Sequence, residues 1–207
     1  MNDFSQSLSR ARIVPVIVIR DIAYAVPLAR VLVEGGLTML EVTLRTDMAL
    51  EAIRRIAAEV EGAMVGAGTV IESRQVAAAH AAGAQFIVSP GLTEELANSC
   101  RDRDLPLLPG VATPSEIMRG LAQGLSTFKF FPAESLGGVA SLKALAGPFA
   151  QVRFCPTGGI TAQNLSTYLA LPNVIAVGGS WMIPPDLAEA GALERAATLA
   201  RTARAAS

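Results

Sequence analysis

The stretch Ser126-Thr127-Phe128-Lys129-Phe130-Phe131-Pro132-Ala133-Glu134 sets a lysine among aromatic residues in what reads as a buried β-strand. An ammonium taken out of water costs several kcal/mol unless it is paired or gives up its proton. The chain uses lysine sparingly: it has fifteen arginines and only two lysines, Lys129 and Lys143. Arginine stays charged, whereas a desolvated lysine can become a neutral amine, and an amine adds to a carbonyl to form a Schiff base. Taken alone, the stretch also reads as a structural ion pair or as a lysine snorkelling from a strand end.

A carboxylate that could serve such an amine stands in Leu40-Glu41-Val42-Thr43-Leu44-Arg45. Strand alternation puts Glu41, Thr43 and Arg45 on one face and the three apolar residues on the other. The same rule groups Thr127, Lys129 and Phe131. Gly66-Ala67-Gly68-Thr69 brings Thr69 to the level of Arg45, whose guanidinium fork suits a carboxylate with Thr69 donating beside it. Two glycine-rich segments, Thr157-Gly158-Gly159 and Gly178-Gly179-Ser180, follow the seventh and eighth apolar runs. Each alone reads as a plain turn; as a pair after those two strands they suit a phosphate held by backbone N–H groups. His80 in its alanine-rich helix, Lys143, Trp181, Met182 and both cysteines read as surface or packing residues.

The elements that must position these residues alternate regularly. Apolar runs at 13–19, 39–44, 64–67, 86–88, 107–108, 127–131, 152–155 and 174–177 are separated by segments of helical period, with glycines at the helix ends. Continuous apolar strands indicate a parallel sheet covered on both faces. Eight such units predict a single-domain (β/α)8 TIM barrel over residues 1–207, with a short extra helix over residues 1–11 closing its bottom; a doubly wound sheet is the alternative. In a barrel, strands two and six contribute to the same interior layers, so Glu41 and Lys129 can meet across it.

Bulk properties narrow the function. With 51% hydrophobic and 17% charged residues the chain has a large interior, and a net charge of −1 gives no field for nucleic acid or an anionic membrane. One histidine excludes a zinc site built on several imidazoles, and no metal site is expected. Two cysteines suit a reducing cytoplasm. The polar first ten residues do not read as a signal peptide, and the run at 13–19 is too short to span a bilayer.

Glu41-Val42-Thr43-Leu44-Arg45-Thr46, Gly66-Ala67-Gly68-Thr69, Ser89-Pro90, Pro109-Gly110-Val111, Lys129-Phe130-Phe131-Pro132-Ala133-Glu134 and Pro156-Thr157-Gly158-Gly159 occur in this order. From about Ile13 to Trp181 the set closely resembles the 2-dehydro-3-deoxy-phosphogluconate / 4-hydroxy-2-oxoglutarate aldolase family. The resemblance implies a homotrimeric, cofactor-free Schiff-base aldolase, a carbon–carbon lyase of the Entner–Doudoroff pathway. It implies Lys129 as the imine-forming lysine and Glu41 as general acid/base. Arg45 and Thr69 would hold the pyruvate carboxylate, Thr157 the sugar hydroxyls, and Gly158, Gly159 and Ser180 the phosphate, with Gly178 and Gly179 in the same hydroxyl- and phosphate-binding loops. Thr43, Pro90 and Phe131 would line the pocket. A sugar-phosphate isomerase or epimerase using Glu41 as base, and a non-catalytic phosphate-ligand sensor, are the rival readings.

Overall fold

The structure, a computed structural model, describes residues 3–207. Its elements run α1 (Asp3–Ala11), β1 (Ile13–Ile17), α2 (Ala25–Glu34), β2 (Met39–Thr43), α3 (Ala49–Glu59) and β3 (Met64–Gly68). They continue with α4 (Ser73–Ala81), β4 (Ile87–Ser89), α5 (Glu94–Arg101), β5 (Leu107–Val111), α6 (Pro114–Ala122) and β6 (Thr127–Phe130). The last third holds α7 (Gly138–Ala146), β7 (Arg153–Pro156), α8 (Leu165–Leu169), β8 (Val177–Gly179) and α9 (Ala192–Ala205). All strand pairs are parallel, in the order β7-β6-β5-β4-β3-β2-β1-β8. Bridges from Phe154 to Val174 and from Thr157 to Gly178 join the two ends. The result is the (β/α)8 barrel that the alternation of runs predicts.

The core has two layers, and strand alternation sorts residues between them. Leu40, Val42, Phe128, Phe130 and Phe154 point outward into the shell shared with the helices. Val14, Met39, Phe86, Val88, Leu108 and Cys155 form a separate cluster with Phe4, Leu8 and Ala11 of α1. That second cluster gathers residues from the first position of β2 and the second positions of β1 and β5, so α1 covers the amino-terminal end of the strands. The Phe4 and Phe86 rings stand 5.7 Å apart, and the hydroxyls of Ser5 and Thr127 share a 2.7 Å hydrogen bond. Of the helix predicted over residues 1–11, Met1 and Asn2 lie outside the described residues.

Boundaries differ from expectation where small or cyclic residues sit inside elements. The first run ends as a strand at Ile17 and leads to a 3-10 turn at Ile22–Tyr24 before α2, which carries Pro27 in its first turn, where a missing N–H costs nothing. β5 extends through Pro109 and Gly110 to Val111, because a Cβ at residue 110 would stand 2.1 Å from the Pro90 carbonyl oxygen and glycine alone admits that crossing. The eighth strand is the clearest correction: it is Val177–Gly179, not 174–177. Gly178 and Gly179 pair with Val14 and Pro15 of β1 and are strand residues rather than the loop expected of them.

Leu8 is fully buried in the cluster under the barrel. Leu8→Ala is expected to lower the unfolding free energy by about 2–5 kcal/mol, the usual range for a buried leucine truncation. Urea unfolding checks this, and turnover measured well below the transition should stay close to wild type because the lesion is at the end of the barrel away from Lys129.

Candidate active site

β2 and β6 lie four places apart in the strand order, on opposite walls of the barrel. Glu41 and Lys129, 88 residues apart in sequence, meet between them: Nζ donates to Oε1 at 3.1 Å and to Oε2 at 3.4 Å. The residues are 2% and 5% exposed. Gly68, on the neighbouring strand, makes room for the carboxylate, since a Cβ there would stand 2.3 Å from Oε1. The Phe131 ring centroid lies 5.2 Å from Nζ, within cation–π range.

Above the pair a cleft of about 180 Å3 opens at the carboxyl ends of the strands. Its walls include Arg45, Phe131, Thr157, Gly158, Gly159 and Ser180, with Gly179, Val16 of β1 and Val18 just beyond it among the rest. Phe131 therefore belongs both to the cleft and to the lysine's surroundings. Arg45 is exposed, and its Nε donates to the Thr69 hydroxyl at 3.1 Å, leaving the two terminal nitrogens of the guanidinium for another acceptor. Thr69 has φ 59°, a left-handed conformation that a β-branched residue adopts at a cost of order 1–3 kcal/mol.

The remaining expected site residues take other places. Thr43 is buried, and its hydroxyl donates to the Ile17 carbonyl at 3.0 Å, so it ties β2 to β1. Pro90 is exposed just beyond β4, its carbonyl against Gly110. Gly178 lies beneath Thr157, where a Cβ would come within 2.3 Å of Oγ1. Gly179 admits the Trp181 ring in the same way. Val16 and Val18 are cleft residues that the sequence reading did not single out. The signal for them was available: Val14, Val16 and Val18 share one strand face. Among the described residues no group of three or more His, Cys, Asp or Glu is placed to hold a metal ion. No helix of the described residues is long and apolar enough to cross a membrane.

Chemically, the arrangement offers an amine nucleophile with a proton acceptor in direct contact, shielded from water, under a cleft that carries a guanidinium and a turn of glycines. Fold and site together are those that a (β/α)8-barrel enzyme would need to handle carbonyl compounds through a buried lysine. Comparison with known proteins takes this further. The aldolase family model described as KDPG and KHG aldolase matches residues 4–199, and the chain belongs to that family. The KHG/KDPG aldolase of Escherichia coli (strain K12) is 55% identical over 196 residues, which span 95% of this chain and 92% of that protein. The crystal structure of the 2-keto-3-deoxy-6-phosphogluconate aldolase of Zymomonas mobilis ZM4 with 3-phosphoglycerate is similar at a TM-score of 0.93 and 48% identity, over 98% of this chain and 96% of that one. The KDPG aldolase of Legionella pneumophila, with pyruvate captured at low pH as a covalent carbinolamine, has a TM-score of 0.93 and 43% identity, covering 98% of each chain.

Cys155 is paired in register with Lys129 and is fully enclosed. Burial pushes its thiol from 9.0 up to about 12; the nearby Lys129 charge opposes that shift, and the Glu41 charge adds to it. A raised thiol favours the folded state fully below 9.0 and progressively less as pH climbs toward 12. The stability difference between wild type and Cys155→Ala should therefore shrink by about 1.4 kcal/mol per pH unit across that window, read by urea unfolding at successive pH values.

Proposed function

We propose that the protein is a class I aldolase that cleaves 2-dehydro-3-deoxy-6-phospho-D-gluconate reversibly to pyruvate and D-glyceraldehyde 3-phosphate, and also splits 4-hydroxy-2-oxoglutarate into pyruvate and glyoxylate. The observation that carries this reading is the buried contact of the Lys129 amine with the Glu41 carboxylate at 3.1 Å. Lys129 passes a proton to Glu41 and attacks the substrate's C2 carbonyl, forming the N–C2 bond. The addition product takes up its own nitrogen proton on oxygen and becomes a carbinolamine. Glu41 then returns its proton to the departing hydroxyl, water leaves, and a protonated imine remains.

That cation is the electron sink for the next step. Glu41 removes the C4 hydroxyl proton, directly or through a water, and the C3–C4 bonding pair moves toward the imine nitrogen. The aldehyde departs and an enamine of pyruvate stays on Lys129. Glu41 delivers the proton to C3, and water hydrolyses the resulting imine to pyruvate and the lysine ammonium. A single carboxylate in contact with the nucleophile thus serves proton transfers on both sides of the bond cleavage. The reaction needs neither a metal nor an organic cofactor, because the imine supplies the sink.

The cleft orients the two anionic ends of the substrate. Arg45, oriented by Thr69, holds the pyruvyl carboxylate in a forked hydrogen bond. Thr157 stands at the sugar hydroxyls, and the turns at Gly158-Gly159 and Gly179-Ser180 bind the distal phosphate through backbone N–H groups. In this reading residues 1–207 act as one catalytic unit with α1 as the floor of the barrel, assembled as a homotrimer in the cytoplasm.

Pyruvate release from the phosphorylated substrate is the direct assay. Glu41→Gln should slow it by roughly 10²–10⁴-fold with the fold intact, while EDTA treatment of the wild type leaves the rate unchanged. Ser180→Asp sets a carboxylate against the phosphate. It should sharply lower kcat/KM for the phosphorylated substrate and change that for 4-hydroxy-2-oxoglutarate little. Wild-type turnover in Glu41→Gln would reduce the carboxylate to a structural partner.

A further inference from the structure

The turn that follows β7 is held from behind at three successive carbonyls. The Ala133 N–H donates to the Thr157 carbonyl at 2.8 Å, and the Glu134 N–H donates to the Gly158 carbonyl at 3.1 Å. The Asn164 side-chain amide donates to the Gly159 carbonyl at 3.0 Å, while its Oδ1 accepts from the Thr161 N–H at 2.8 Å. With those three carbonyls turned to the rear, the N–H groups of Gly159 and Ile160 have no partner among the described residues. Gly158 and Gly159 both adopt left-handed conformations, at φ 99° and 81°. A Cβ on Gly159 would stand 2.5 Å from Glu134 Cγ, so Glu134 lies directly against the back of the turn.

Glu134 is itself held. The Tyr168 hydroxyl donates to its carboxylate. Burial raises the phenol first, and the Glu134 hydrogen bond and charge raise it further, so it stays protonated as the donor. Gly138, at φ 52°, clears space for the pair, since a Cβ there would approach the Tyr168 oxygen to 2.6 Å and Glu134 Oε1 to 2.9 Å. Behind these residues lies a separate cleft of about 420 Å3, walled by Glu134, Asn164 and Tyr168. The clamp thus has open space at its back and the substrate cleft at its front, so packing alone does not enforce the shape of the turn.

We infer that Glu134, Tyr168 and Asn164 are positioning residues that hold the 157–161 turn with its carbonyls back and its N–H groups forward, as a preformed cradle for the substrate's distal phosphate. The inference rests on the phosphate assignment made under Proposed function. It adds the part of the molecule that shapes the cradle, none of which needs to touch the substrate. Successive N–H groups in such a turn form an anion-binding concavity only while their carbonyls point elsewhere. Each rear hydrogen bond therefore lowers the ordering cost of binding the phosphate. The carboxylate of Glu134 acts here as an acceptor for Tyr168; its negative charge opposes the phosphate and is not what the clamp needs.

The test compares phosphorylated and unphosphorylated substrates in variants of the clamp. Asn164→Ala, Tyr168→Phe and Glu134→Ala are each expected to lower kcat/KM for 2-dehydro-3-deoxy-6-phosphogluconate by roughly 5- to 50-fold, mostly through KM, the scale of one lost hydrogen bond, to the turn itself for Asn164 and within the Tyr168–Glu134 support behind it for the other two. The same variants should change kcat/KM for 4-hydroxy-2-oxoglutarate by less than about twofold. Glu134→Gln keeps an acceptor for Tyr168 and drops the charge, so it should retain or improve phosphate recognition. That rescue separates positioning from a loss of charge or of fold. Tyr168→Phe preserves the buried ring, and Glu134 is exposed, so both variants should fold even if Asn164→Ala does not. An unchanged substrate ratio in Tyr168→Phe and Glu134→Ala, while Ser180→Asp still shifts it, overturns the clamp and leaves the phosphate assignment standing. An unchanged ratio in all of them overturns both.

Discussion

A lysine and a carboxylate 3.1 Å apart in the dry interior of a barrel constrain everything built around them. Removing one partner of such a pair leaves the other uncompensated, at about 3–5 kcal/mol, whereas a matched apolar pair in the same space would be neutral or more stable. Stability therefore gives no reason for the pair to stand there, and the proposed Schiff-base chemistry would supply one. Its position dictates the neighbours. Gly68 has no side chain because the Glu41 carboxylate fills that volume, and Phe131 turns a ring toward Nζ while its other side shapes the cleft. Cys155, beside Lys129 in register, is a thiol kept neutral by burial, so it adds no charge to the interior.

The barrel divides its labour along its axis. At the amino-terminal end, α1 and the first residues of the strands form an apolar floor, with Phe4 and Leu8 packed under Phe86 and Met39. At the carboxyl-terminal end the strands give way to glycines. There they serve as space and as conformational freedom rather than as flexible links. Gly178 yields room to Thr157 and Gly179 to Trp181, while Gly158 and Gly159 adopt backbone angles closed to other residues. A rigid floor and a glycine-lined mouth are the physical form of a scaffold that keeps its fold while it orients a substrate.

Much of this was legible in the sequence because period-two alternation is a strong signal in strands buried on both faces. It assigned Glu41 and Lys129 to the interior and Leu40 and Val42 to the opposite face, and the structure agrees at each position. The meeting of Arg45 and Thr69 was equally readable. The eighth strand was not. Glycine weakens a strand, so Gly178 and Gly179 read as a turn; the reason for their presence, close approach of Thr157 and Trp181, is a tertiary contact that no local pattern shows. Thr43 was placed on the correct face, yet its hydroxyl is engaged by the Ile17 carbonyl on the neighbouring strand. The contacts of Asn164 with the 157–161 turn and of Tyr168 with Glu134 join segments separated by a loop or by a whole βα unit, and only the folded chain reveals them.

The central claim is that Lys129, and not Lys143, becomes covalently linked to the substrate. Incubation with pyruvate followed by borohydride reduction converts a protonated imine into a stable secondary amine, and peptide mass spectrometry then locates it. The account requires irreversible loss of activity with one adduct per chain, on the peptide carrying Lys129, and no adduct in Lys129→Arg. An adduct on Lys143, or full activity after reduction in the presence of pyruvate, would contradict it.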